Sequence, residues 1–427
     1  MEGAAREGAR AALGTALVLG LAALLVVAFG TPWDVLPVPS GGRTPPDPTA
    51  GLDADQVARA EAFAGALRPA SLVSLVLGLA VSAVLGLTRL GGRLVRAAGS
   101  VVGGRWSGQV LLGVPALILV GRLATLPVSA YAETVRHRYG LSTRSWGLWL
   151  RDVAVSVAIS AVLTTLVVLA FLWLVRRAPR TWWIWSGLAA VGMVLVGSFL
   201  YPVVIEPAFN RFEPLPAGEL RSDLLALAEQ NGTPVQDVLV SDASRRTTAL
   251  NAYVSGFGST RRVVVYDTVL DRLPDAEIEA IVAHELGHVA NRDVLTGTLM
   301  GALGAGAATS LGGWLLSWAP LLRRVGAESP ADPRVVPLLL FLVAVGGLLG
   351  APVQNGVSRQ IEARADVHAL DLTRDPEAFI EMQRRLASTN LGDPDPPTAW
   401  QWYFGSHPTA AQRIAMAQDW QRLEGQQ

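Results

Sequence analysis

The chain has 427 residues, of which 51% are hydrophobic and only 16% charged, against roughly 25% charged in ordinary globular domains, so much of it must face lipid. Lys+Arg 35 against Asp+Glu 35 gives a net charge of zero, which removes any bulk electrostatic case for nucleic acid as a partner. Zero cysteines exclude disulfides, thiolate metal sites and a cysteine nucleophile; every basic residue is Arg, a bias of composition rather than of chemistry.

A spanning helix needs about 20 mostly apolar residues to cross roughly 30 Å of hydrocarbon. Seven stretches meet that length: residues 11–33, 69–88, 106–132, 153–175, 181–205, 294–322 and 335–358. The first is too long, and is followed by too many others, to be a cleaved signal peptide. After it, Pro37, Pro39, Pro45, Pro46 and Pro48 mark an irregular linker, and DADQVARAEAFAGAL reads as a short helix. Arg122 interrupts the third span, and either snorkels to the headgroups or marks a polar interior between helices. Trp173, Trp182, Trp183 and Trp185 sit at the ends of adjacent spans, where interfacial rings belong. The fold class is therefore a multi-span α-helical membrane protein, integral and multi-pass, with the lipid bilayer as its surroundings.

Residues 1–205 form a five-helix membrane region with loops, 206–293 a first polar piece, 294–358 two further spans and 359–427 a second polar piece. An even number of crossings separates the two polar pieces, so they meet on one membrane face and can build one split α+β domain. In the first piece QDVLVSD reads as a strand, and ALNAYVSGFGSTRRVVVYDTVL as two strands joined by a Gly-rich turn. A helix follows, with Pro274 at its first position and apolar residues at helical spacing.

That helix carries His284, Glu285, Leu286, Gly287 and His288. Residues four apart share a helix face, so both imidazoles can bind one Zn²⁺ while Glu285, about 100° round, reaches the attacking water. The chain has five His in all, and two are spent at this spacing. A zinc site of this type needs a third protein ligand. In NGVSRQIEARADVHAL, Glu362 and Asp366 stand four apart on one predicted helix face, Glu362 as the ligand and Asp366 as the acceptor that fixes one zinc-binding His. The plain alternative is two solvated acids on an amphipathic helix. His368 points well round the helix from Glu362 and is the poorer ligand. In WYFGSHPTAAQRIAMAQDW, Pro408 can start a helix, with His407 projecting from the turn before it and Arg413 from the helix itself. Alone these read as a capping histidine and a salt-bridging arginine. Beside the zinc motif, an imidazole that stabilises an oxyanion fits as well.

In these segments, with LPVSAYAETVRHRYGLSTRSWG, YPVVIEPAFNRFEPLP and SRQIEARAD in the same order, the chain resembles the zinc-dependent CAAX prenyl proteases, seven-span membrane endopeptidases, and their bacterial relatives. The resemblance implies one Zn²⁺ per chain held by His284, His288 and Glu362, with Glu285 as general base, Asp366 as supporting acid and His407 with Arg413 on the substrate side. It also implies that the strand near Asn251 and Ala252 offers its edge to the substrate backbone, and that the helices enclose a water-filled chamber. His368 stands where the family usually has an aromatic ring, and VANRD follows His288 in place of an aromatic and basic run.

The implied activity is hydrolysis of peptide bonds in membrane-presented peptides or lipidated proteins. A quality-control metalloprotease of misfolded membrane proteins is the alternative within the class, and a transporter or lipid-binding protein with a degenerate zinc site the alternative outside it. For orientation, the N-terminus and its same-side short loops carry 12 Arg against 7 opposite, which places the zinc domain outside the cytoplasm, whereas the eukaryotic relatives imply the reverse.

Overall fold

Apolar runs become helices because hydrocarbon offers no water to an open backbone. A computed structural model describes residues 2–200, 205–256 and 258–426. Its helices are α1 (Glu2–Gly30), α2 (Ala54–Leu87), α3 (Arg89–Ser100), α4 (Trp106–Arg138), α5 (Trp146–Arg177), α6 (Trp182–Leu200), α7 (Glu219–Gln230), α8 (Asp267–Leu270), α9 (Asp275–Ala290), α10 (Asp293–Leu316), α11 (Ala319–Val325), α12 (Val336–Thr373), α13 (Pro376–Thr389), α14 (Thr398–Phe404) and α15 (Ala410–Glu424). Among the described residues six helices are long and apolar enough to cross a membrane, those of α1, α2, α4, α5, α10 and α12. The expected span 181–205 begins as α6, and its residues 201–204 lie outside the described part.

Several elements differ from the sequence reading. The segment DADQVARAEAFAGAL is the first part of α2: Asp53 caps it, accepting the Gln56 N–H at 2.8 Å while the Gln56 side chain accepts the Asp53 N–H, and the helix runs on through Pro69. Helix α3 was not foreseen; its Gly91, Gly92, Val95 and Gly99 are buried, with Gly91 packed against Pro337. The run 294–322 breaks at Ser317, because Pro320 fits the first turn of α11 but cannot continue a helix. The last span and the segment holding Glu362 are one helix, α12, of 38 residues. Trp173 and Trp185 are exposed, but Trp182 and Trp183 are buried, Trp182 edge-on to Phe171 at 5.3 Å and Trp183 against Gly313.

Four strands, β1 (Phe212–Pro214), β2 (Asp237–Ser241), β3 (Ala252–Ser255) and β4 (Arg262–Tyr266), form a sheet in the order β1-β2-β4-β3. Strands β2 and β4 are parallel, while β1 pairs with β2 and β3 with β4 antiparallel, Ala252 opposite Val265. The DTVL segment, expected to extend a strand, is α8. One core joins Val238, Val263 and Val265 of the sheet to Leu224, Ile278, Val282 and Leu286, and to Leu370, Phe379, Met382 and Trp420 from beyond the last two spans. The membrane helices have a core of their own that includes Val95, Val114, Leu172 and Leu338. The Pro-rich linker lies on α15: Thr44 donates its N–H and hydroxyl to Asp419 at 2.8 and 2.6 Å, and Ala50 packs with Ala411 and Ile414.

Candidate metal centre

One turn of α9 brings His284 and His288 together, their Nε2 atoms 3.2 Å apart. Helix α12 supplies Glu362, whose Oε2 lies 3.2 Å from His284 Nε2 and whose Oε1 lies 3.6 Å from His288 Nε2. The outer nitrogens are also engaged. His284 Nδ1 lies 2.8 Å from Asp366 Oδ1, and His288 Nδ1 lies 2.9 Å from Asp293 Oδ2. An ionised carboxylate only accepts, so each Nδ1 carries a ring proton, and each Nε2 is left to turn a lone pair inward once any proton of its own is displaced. Two lone pairs and the Glu362 carboxylate thus converge on one point, and buried Glu362 Oε2 has no hydrogen-bond donor. Such a donor set fits a divalent cation. Burial pushes the His284 imidazole down, but the Asp366 and Glu362 carboxylates beside it more than reverse this and raise it to about 9, so a cation binding there displaces a proton from Nε2.

Glu285 projects from the same helix, one donor atom from each of His284, Glu285 and His288 lying within 4.8 Å of the others. Burial pushes its carboxyl above the usual range, as suits a group that takes up a proton. Asp366, fully buried, is held in turn by Arg413, whose Nε donates to Oδ2 at 2.8 Å and whose Nη2 pairs with Oδ1. Arg413 also lines the cleft, and its Nη2 lies 3.3 Å from His284 Nδ1 as well as against Asp366.

His407 sits between α14 and α15, its Nε2 3.4 Å from Glu362 Oε2. Gln401 Nε2 donates to its carbonyl at 2.7 Å and Ser406 Oγ lies 2.9 Å from its Nδ1. Pro408 does not start the helix. Thr409 does, as the cap of a reciprocal pair with Gln412, so α15 begins at Ala410 and the His407 ring is free of capping duty. Desolvation within the cleft lowers the His407 imidazole, and where the Ser406 hydroxyl donates to Nδ1 the ring proton sits on Nε2, facing Glu362.

His368 is no ligand. Its Nε2 lies 2.6 Å from Asn231 Oδ1, the Asn231 amide donates to Leu286 O at 3.2 Å, and its ring lies against Gly287. Sequence reasoning missed Asp293, Arg364, which pairs with it, and Asn390. The available signal for Asp293 was a single acid at the mouth of an otherwise charge-free span, five residues beyond the second His. Asn390, at the end of α13, accepts the Leu250 N–H at 2.8 Å and donates to Leu250 O at 3.1 Å, and so holds the start of β3.

The centre opens into a cleft of about 830 Å³ lined by Asn251, Ala252, Tyr253, Glu285 and His407 among others. Strand β3 is an edge of the sheet. Asn251 O accepts the Tyr266 N–H at 3.1 Å, so the alternation of an antiparallel ladder leaves the backbone groups of Ala252 and Val254 on the open side.

A candidate metal site on a helix, with a carboxylate beside it and an edge strand along its cleft, mounted on membrane-spanning helices, is the arrangement of a membrane metallopeptidase. The chain belongs to peptidase family M48: the family model described as "Peptidase family M48" matches residues 214–421, and that described as "CAAX prenyl protease N-terminal, five membrane helices" matches residues 40–211. It is 37% identical over 309 residues to "Uncharacterized metalloprotease YhfN" of Bacillus subtilis, covering 71% of each chain. To "CAAX prenyl protease 1 homolog" of Oryza sativa it is 29% identical over 319 residues, covering 71% of this chain and 72% of that one. The crystal structure of S. mikatae Ste24p shares the fold, with a TM-score of 0.75 at 21% identity over 96% of this chain and 98% of that one.

Proposed function

We propose that the chain is a zinc endopeptidase whose substrates are lipid-bearing or otherwise membrane-presented peptide chains, in the manner for which its CAAX prenyl protease relatives are named. The observation that carries this reading is the convergence of two imidazole lone pairs and the Glu362 carboxylate at separations of 3.2, 3.2 and 3.6 Å. Tetrahedral zinc with nitrogen and oxygen ligands at about 2.0–2.2 Å holds them about 3.3–3.6 Å apart. His284, His288 and Glu362 would hold the ion, and zinc supplies Lewis acidity that makes water a nucleophile near neutral pH.

The remaining steps belong to the chain's own residues. Glu285 takes the proton of the attacking water and returns it to the leaving amine. His407 Nε2–H faces the oxygen on which charge develops, and the outward backbone groups of Ala252 and Val254 hold the substrate as an added strand. Arg413, through Asp366, keeps the His284 ring in its ligating tautomer.

The test is cleavage of one peptide sequence with and without a C-terminal prenyl group by the purified protein in detergent, with the cut mapped by mass spectrometry. A single cut, faster in the prenylated peptide, is the expected result. Equal rates, or no cutting of either by protein that holds one zinc per chain, would overturn the reading. Glu285→Gln should keep the zinc and lose most hydrolysis, because an amide preserves shape but cannot accept the proton.

A further inference from the structure

Helix α14 cannot hold itself in place. It has seven residues, none of them buried, and no side chain caps its N-terminus; a helix so short takes its order from what it packs on. What it rests on is α12. Arg359 Nη1 donates to Gln401 O at 3.1 Å and to Trp402 O at 3.5 Å, and is also bonded to Gly405 O. Asn355 Nδ2 donates to Tyr403 O at 2.5 Å, and the Tyr403 hydroxyl donates to Leu348 O at 2.6 Å. The last carbonyls of a helix have no partners within it, and here one guanidinium and one amide supply them. Every bond that Arg359 makes among the described residues goes to these carbonyls.

His407 follows directly. Gln401 Nε2 donates to His407 O at 2.7 Å, so the residue whose carbonyl Arg359 holds is the one that holds His407. The chain passes so close there that a Cβ on Gly405 would lie 2.3 Å from Gln401 Oε1 and 2.7 Å from Gln401 O. The His407 side chain is itself 59% exposed, so packing does not fix its ring and its aim depends on the backbone that carries it. Arg359 stands three residues before Glu362 on α12, and residues three apart share a helix face. One face of one helix thus presents Glu362 and, by way of α14, sets the imidazole whose Nε2 lies 3.4 Å from Glu362 Oε2. We propose that Arg359 is a positioning residue: by fixing the C-terminal end of α14 on α12, it aims the His407 imidazole at the metal site, where charge develops in peptide hydrolysis. This rests on the peptidase reading above. The rival is a merely structural role, holding α14 on the bundle, and the experiment separates the two.

Arg359→Gln, Arg359→Lys and Gln401→Leu are each made alone and together with His407→Ala, and assayed on a prenylated peptide as full-length, zinc-loaded protein in detergent. Arg359→Gln should keep one zinc per chain and lower kcat about 10–100-fold with KM within about twofold, because a misplacement of about 1 Å at the reacting groups costs up to roughly 10² in rate. Arg359→Lys keeps the charge but not the planar fork, and should recover part of the loss. Gln401→Leu leaves α12 untouched and should lower kcat in the same sense. In the His407→Ala background none of the three should lower kcat by more than about twofold, since the group that they aim is gone. An unchanged kcat in Arg359→Gln, a loss as large without His407 as with it, or a loss that follows zinc content would overturn the proposal. Should Arg359→Gln fail to fold, Gln401→Leu decides by the same criteria. A readout without turnover is the His407 ring signal in protein labelled with ¹⁵N-histidine and loaded with Co²⁺ in place of zinc, the signal being identified by its absence from His407→Ala. It should lose much of its paramagnetic displacement in Arg359→Gln, and an unmoved signal would also overturn the proposal. If the signal moves as expected but the unmutated enzyme cuts no peptide, the peptidase reading fails and the positioning stands; cutting with neither signal nor kcat altered in Arg359→Gln has the opposite meaning.

Discussion

Asp366 and Asp293 do for the two imidazoles what the helix spacing alone does not: at 2.8 and 2.9 Å they accept hydrogen bonds from the outer ring nitrogens and aim both Nε2 atoms at one point. Asp293→Asn can present its amide N–H₂ to His288 instead and favour the wrong tautomer, so metal affinity should fall about 10–100-fold, as read by titration against a competing chelator. Glu362→Ala should lower zinc occupancy far more, because two imidazoles leave the tetrahedron short of a protein ligand; full zinc content by metal analysis would remove Glu362 from the ligand set. His407→Ala should keep its zinc and lose about 10²–10³ in kcat, the cost of one donor aimed at a developing oxyanion. Thr409 already caps α15, so a capping loss of about 1 kcal/mol in place of the kinetic effect is not expected. Measuring kcat, zinc content and Tm on one preparation separates the two.

Helix α12 is the element on which the site depends, since one unbroken run of 38 residues ties the last span to Glu362 and Asp366. Its seating on α2 leaves no room at Gly86, where a Cβ would come within 2.5 Å of Phe341 Cβ and 2.8 Å of Pro337 O. Gly86→Ala should therefore destabilise the protein by about 1–3 kcal/mol, visible as a lower Tm in detergent. The linker between α1 and α2 hangs on Asp419. Burial works to raise that carboxyl, but Thr44 and Arg422 outweigh it and hold it below its usual 3.8. A depressed carboxylate contributes stability above its unfolded pKa and loses it as pH falls through the folded value. The Tm difference between the unmutated protein and Asp419→Asn should thus be full at neutral pH and close below about pH 3.8.

At the scale of the molecule, the peptidase core is built from two chain segments with two spans between them, since Leu286 and Val265 share a cluster with Phe379 and Trp420. That connection pins the cleft to the membrane plane. Substrates tethered there by a lipid should be cut faster than soluble chains of the same sequence, because tethering raises their effective concentration at the cleft. A soluble unstructured protein cut as fast as a lipidated peptide of equal length would sink the idea.

Local pattern determined a great deal: apolar runs long enough for lipid, and a helix period that aligns His284 with His288, follow from nearest-neighbour geometry that any reader of the chain can lay out. The same holds for β2, β3 and β4, short Val-bearing runs set off by turn residues, and for Glu362 and Asp366, four apart on one helix. What only the tertiary structure decided are relations between residues far apart in the chain. Asp293 reaches back to His288 because the chain turns at Arg292, which adopts a left-handed φ of 56° that spacing does not announce. Arg413 pairs with Asp366, and Asn390 rather than a strand partner holds Leu250, because α13 and α15 pack across the sheet and α12. Arg122 could be read as snorkelling or as lining a polar interior; the second holds, since which side of α4 faces a cavity is settled by how α4 and α5 pack and not by the residues around Arg122. Long-range packing carries no period in the sequence, and that is the physical reason these pairings were not legible there.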